Sequence, residues 1–142
     1  MNLRFPPKPG MIVICDYQTG FKAPEMVKQR LALVLSPRLQ HRDNLCTVVP
    51  LSTTPARSGI KYQCKIELPA SAPVPYEGTI KWAKYDMLAT LCYARMTLPY
   101  TGRDPVTKKR KYLQIVVNEE ELRKDRCSVL HALGMQHLTG AL

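Results

Sequence analysis

Residues 11–17 (MIVICDY) are a run of apolar, mostly β-branched side chains bounded by Gly10 and Gly20, which predicts a buried strand. Residues 31–36 (LALVLS), halted by Pro37, predict a second, and 47–51 (TVVPL) a third. Residues 62–68 instead alternate polar and apolar positions, as a half-exposed strand does. Two further candidates follow at 79–83 and 88–94, and a last one at 112–117 (YLQIVV) after a turn-rich stretch, 99–111, that contains Gly102 and Pro105. The period then changes to that of a helix. Asn118 is a suitable N-cap, Glu119, Glu120 and Glu121 occupy the first turn where the helix dipole favours acids, and Leu122, Val129, Leu130 and Leu133 fall on one face before Gly134. Six or seven short strands broken by proline and glycine, with one amphipathic helix at the end, predict a mainly β chain: a small curled sheet or barrel capped by that helix.

Length confines these elements to one core, since 142 residues are few for two ordinary domains; residues 1–142 are read as a single domain. The 21 lysines and arginines outweigh 11 acids, for a net charge of +10, and such an excess favours a polyanionic partner through phosphate contacts. The densest cluster is 103–111 (RDPVTKKRK), either a solvated hairpin tip or a phosphate contact. No apolar run approaches the ~20 residues that span a bilayer, and the opening MNLRFPPKPG lacks the apolar core of a secretion signal. A cytoplasmic protein with no membrane contact is expected. The five cysteines contain no C-x-x-C pair, which argues against a disulfide framework and a zinc site and for reduced, mostly buried thiols.

Several short motifs occur in a telling order. Gly10, a strand ending in Asp16, then Gly20, Glu25 and Arg30 leading into LALVLSP are followed by VVPLSTT at 48–54, YDMLATL at 85–91 and VVNEEEL at 116–122. This series resembles the MazF/PemK toxins over roughly 6–98 and 112–135, with the basic stretch at about 99–111 longer than is usual there. The resemblance implies a small SH3-like barrel of the CcdB/PemK-like kind, six to seven strands and a C-terminal helix. It also implies a homodimer and an antitoxin partner with an acidic tail. The activity implied is metal-independent, cofactor-free and sequence-selective cleavage of single-stranded RNA. The alternative is a member of the same fold that binds nucleic acid or protein without cutting, gyrase inhibitors included.

Cleavage of that kind uses the ribose 2′-hydroxyl as nucleophile, so the protein must take up its proton, steady the phosphorane charge and protonate the departing 5′-oxygen. Arg30 suits the charge, because a guanidinium stays ionised and can grip two phosphate oxygens, and by resemblance it matches the family's principal catalytic arginine. Ser52 matches a family threonine, and Thr53 stands beside it; either hydroxyl could donate to a phosphate oxygen or merely bond the turn before Pro55. Lys28 and Glu25 on the preceding loop are read as RNA contacts, Glu25 orienting Arg30 or touching a base. Asp86 matches an acid used in base recognition, with Lys84 where an arginine would stand; the plainer reading is a surface ion pair. Pro24 and Leu31 replace a histidine and a proline of the family pattern. His41, His131 and His137 match no site. Trp82, Tyr85 and Tyr93 could stack on bases or belong to the core.

Overall fold

The computed structural model describes residues 2–142. The predicted strands settle as β1 (Ile12–Asp16), β2 (Gln29–Val34), β3 (Leu45–Ser52), β4 (Gln63–Glu67), β5 (Ile80–Lys84), β6 (Ala89–Cys92) and β7 (Met96–Thr97), followed by β8 (Tyr100–Arg103), β9 (Arg110–Tyr112) and the helix α1 (Glu119–Ala132). The first seven form one antiparallel sheet, ordered β4-β5-β3-β2-β1-β7 with β6 also on β3. β1 and β2 are unbroken apolar runs because both of their faces are buried. Ile12, Ile14, Leu31 and Leu33 enter one core with Val49, Leu51 and Ile66. Val13, Cys15, Ala32 and Val34 enter a second with Val48, Leu91 and Met96.

β3 pairs with β2 along one edge and changes partner along the other. Its first half, Leu45–Val48, pairs with β6, and its end, Leu51 and Ser52, pairs with β5. Pro50 lies between the two halves and faces Ala32 of β2; a proline has no N–H to give a ladder, so it fits where one partner ends and the next begins.

The predicted strand at 112–117 divides. Arg110–Tyr112 becomes β9, which pairs only with β8 in a separate hairpin, and Val116 keeps a single bridge to Met11. Gly10 explains how the chain returns: its φ is +91°, and a Cβ there would stand 3.0 Å from the Val117 carbonyl oxygen. Only glycine permits both the conformation and the approach. The stretch 88–94 is also shorter than expected, because Tyr93–Arg95 turns into a short 3₁₀ helix.

α1 starts where the sequence predicts, with the Asn118 side chain accepting a hydrogen bond from the Glu121 N–H at 2.8 Å. Gly134, at φ +72°, ends it with bonds from Met135 N–H to the Leu130 carbonyl and from Gly134 N–H to that of His131, a Schellman close. The buried face differs from the predicted one. Leu122 is buried and Val129 packs on the core, but Leu133 is 60% exposed, and the remaining buried positions are Asp125 and Ser128. Polar pairs set that face: Tyr85 donates to Asp125, and Ser128 lies 3.2 Å from Cys64 Sγ.

Of the five free cysteines, Cys15 and Cys46 are buried, Cys64 and Cys127 half-buried and Cys92 exposed, so the expectation of mostly buried thiols holds for two. No helix among the described residues is long and apolar enough to cross a membrane.

Candidate functional site

The β2–β3 ladder runs Val34↔Val48, Leu33↔Val49, Ala32↔Pro50. The ladder ends there, and Arg30, which pairs with Cys15 on the other side of β2, and Ser52 each lie two residues beyond that last pair on their own strands. β5 reaches the same place from the other side through Ser52↔Trp82. Where these three strand ends meet, a cavity of about 340 Å³ opens, lined by Lys28, Arg30, Ser52, Thr53, Glu77 and Lys81 among others. Arg30, Lys28 and the hydroxyls of Ser52 and Thr53 among these lining residues suit a phosphate.

Arg30 is half-buried, its Nε is enclosed without a hydrogen-bond partner, and it takes part in none of the ion pairs among the described residues. A buried guanidinium N–H left open costs free energy until an acceptor arrives. Ser52 is buried and its Oγ accepts from the Thr54 N–H at 3.0 Å. It thus bonds the local turn, as one sequence reading allowed, and keeps its own O–H to donate. Thr53 is exposed.

Lys84 occupies a different environment from the expected groove contact. It is 8% exposed, and Nζ donates to the Thr54 carbonyl at 3.1 Å and to Gln63 Oε1 at 2.9 Å. Asp86 accepts from Gln63 Nε2 at 3.1 and 3.2 Å, so Gln63 stands between the two charges where a direct ion pair was one expectation. Burial lowers the Lys84 pKa; nearby Asp86 opposes this shift and Arg30 adds to it. Lys84 therefore clamps the turn that carries Ser52 and Thr53.

Glu25 and Asp86 line a second cavity, of about 510 Å³, with Tyr17, Phe21 and Met26; it shares no lining residue with the first. Glu25 Oε2 accepts from the Lys22 N–H at 3.1 Å, closing its own loop. A larger depression, about 730 Å³, lies between α1 and β4, but Glu67, Glu120 and Glu121 are interleaved with its cations, leaving little field for a polyanion. Tyr85 and Tyr93 are core residues, and Trp82 is half-buried.

Tyr76, Glu77 and Lys81 complete the first cavity and escaped the sequence reading. Lys81 is 4% exposed and donates to the Tyr76 and Glu77 carbonyls at 3.0 and 3.1 Å, holding the β4–β5 loop over the site; burial lowers its pKa. A signal was present, since Lys81 shares the inward parity of Ala83 on β5, an unusual place for an ammonium.

The chain matches the family described as PemK-like, MazF-like toxin of type II toxin–antitoxin system over residues 8–115. It is 30% identical over 121 residues to the uncharacterized protein YifN of Escherichia coli (strain K12), covering 72% of this chain and 80% of that one. It is 29% identical over 136 residues to an uncharacterized protein of Haemophilus influenzae, covering 82% and 93%. Among solved structures it is similar to MazF from Deinococcus radiodurans, with a TM-score of 0.56 and 20% identity over 92% of this chain and 99% of that one. An endoribonuclease from a mycobacterial species gives a TM-score of 0.54, also at 20% identity, over 92% and 94%. With the family match spanning residues 8–115, the chain belongs to the PemK-like, MazF-like toxin family of type II toxin–antitoxin systems.

Proposed function

We propose that this protein is an endoribonuclease toxin that cuts single-stranded RNA at selected sequences by attack of the ribose 2′-hydroxyl, without a metal or cofactor. The observation that carries the reading is that Arg30, Ser52 and Thr53 line the same cavity, with the Arg30 Nε–H unclaimed. The endoribonuclease name of a structural neighbour supports it. In this reading the 2′-oxygen bonds to phosphorus as the P–O5′ bond breaks, its proton passing to solvent and the departing 5′-oxygen taking one up from solvent, while the Arg30 guanidinium neutralises the growing phosphorane charge, Ser52 and Thr53 donate to non-bridging oxygens, and Lys28 steers the backbone. Lys84 positions the 52–54 turn. Glu25 and Asp86, with the apolar side chains around them, receive a base beside the scissile phosphate. The protein works as a cytoplasmic homodimer and is silenced by an antitoxin whose acidic tail competes for the same cations.

The test is incubation of purified protein with a long single-stranded RNA in EDTA. Discrete fragments with 5′-hydroxyl ends are expected, and Arg30→Ala should lower kcat/KM by about a hundredfold or more while leaving the thermal transition in place. Intact RNA after prolonged incubation with the wild type would overturn the reading. A second reading, a relative that holds RNA without cutting it, draws on the burial of Lys84; binding without fragments is its signature.

A further inference from the structure

The β8–β9 hairpin lies outside the seven-stranded sheet and outside the machinery described above. Residues 103–111 carry Arg103, Lys108, Lys109, Arg110 and Lys111 against the single acid Asp104. That acid is already engaged: its carboxylate accepts the Val106 and Thr107 N–H groups at 2.8 and 2.9 Å, and these bonds hold its pKa below the usual carboxylate range. Arg103 faces Arg110 directly across the ladder, a like-charge pairing that weakens a free two-stranded ribbon. Tyr100 and Tyr112 stand opposite each other at the base of the ribbon, with Thr101 and Lys111 between them and that pair, and the Arg110 guanidinium lies 4.4 Å from the Tyr100 ring centroid. Arg103 also donates to the Lys108 carbonyl at 3.0 Å, but five cations against one carboxylate leave an excess of four positive charges on this small ribbon; hairpin stability does not account for that excess, and a polyanion laid along it would.

Its root reaches the site. Tyr100 and Tyr76 pack against the same core, and Tyr76 lines the Arg30 cavity; burial raises the Tyr76 pKa, and Tyr100 adds to that shift. We infer that the β8–β9 hairpin is a second RNA-binding element, a cationic arm that grips the phosphates of the strand beyond the cavity and lengthens the bound footprint. This rests on the reading that the Arg30 cavity receives single-stranded RNA.

The test uses Lys109→Glu together with Lys111→Glu, both exposed, in the full-length protein. A charge-matched control carries Lys65→Glu and Arg123→Glu on β4 and α1. Fluorescent mixed-sequence 2′-O-methyl RNAs of about 30 and about 6 nucleotides, which lack the nucleophile and so cannot be cut, report affinity as a function of salt. The arm variant should lose about tenfold or more on the long strand, with the slope of log K against log salt shallower by roughly 1.4, about 0.7 for each lost contact. The short strand should bind as before. Unchanged affinity for the long strand, an equal loss on both lengths, or an equal loss in the control overturns the arm while leaving the cavity reading intact. So does a variant that keeps RNA but loses a polyglutamate peptide, since that marks a protein contact. Failure of the wild type to bind either strand overturns both.

Discussion

Arg30 and Lys84 show how two cations in one neighbourhood divide the work. The lysine spends its N–H bonds on the Thr54 carbonyl and Gln63, whereas the arginine lines the cavity with an enclosed Nε that has no partner; the first holds a backbone and the second is left with a donor unused. Asp125 presents a different case of buried charge. It is wholly buried on α1, accepts from the Tyr85 hydroxyl, and has its second oxygen unpartnered. Burial pushes its pKa up to about 7, the Tyr85 bond and Lys124 opposing and Glu121 assisting. The unfolded chain releases this proton near 3.8, so the folded state alone holds it between about pH 4 and 7. Its contribution is therefore fully present at low pH and is lost as pH rises through the folded value, at no more than about 1.4 kcal/mol per pH unit. Asp125→Asn should flatten that slope, read as the difference in urea midpoint between variant and wild type from pH 4 to 8. Parallel slopes for the two proteins would count against a protonated Asp125.

At the scale of elements, the N-terminal cap of α1 is separable from its packing. Asn118→Ala removes the acceptor for the Glu121 N–H and should cost about 1 kcal/mol in denaturant unfolding, with cleavage per folded molecule unchanged. This cap was legible in advance, because capping is local chemistry that an Asn followed by three acids declares. So were β1 and β2, whose unbroken apolar runs have no other use. The helix face was not legible: Asp125 and Ser128 are polar in any one-dimensional pattern, and only Tyr85 and Cys64, brought up from distant strands, make them inward-facing. The 112–117 strand failed similarly, since β propensity there cannot tell a ladder from one bridge beside Gly10. Arg30, Ser52 and Thr53 came from ordered motifs. Lys81 and Glu77 did not, because Lys81 joins the site by reaching back five and four residues to the Tyr76 and Glu77 carbonyls, a local closure that no motif announces.

For the molecule as a whole, a net charge of +10 means that RNA must displace its condensed counterions on arrival. Cleavage under limiting substrate should accordingly fall roughly tenfold or more from about 50 to 200 mM salt, with kcat itself much less affected; a salt-independent kcat/KM would show that the surface charge plays no part in capture. The change of partner along β3, from β6 to β5 across Pro50, has a wider effect. Beyond Ser52 the woven backbone parts, and the gap between diverging strands is where Arg30 and its neighbours stand. The backbones that carry Arg30 and Ser52 are held in ladders through Cys15 and Trp82, so the side chains that line the cavity can be exchanged without undoing a strand pair. Relatives can thus diverge in what they recognise, or cease to cut altogether, while the surrounding fabric stays the same.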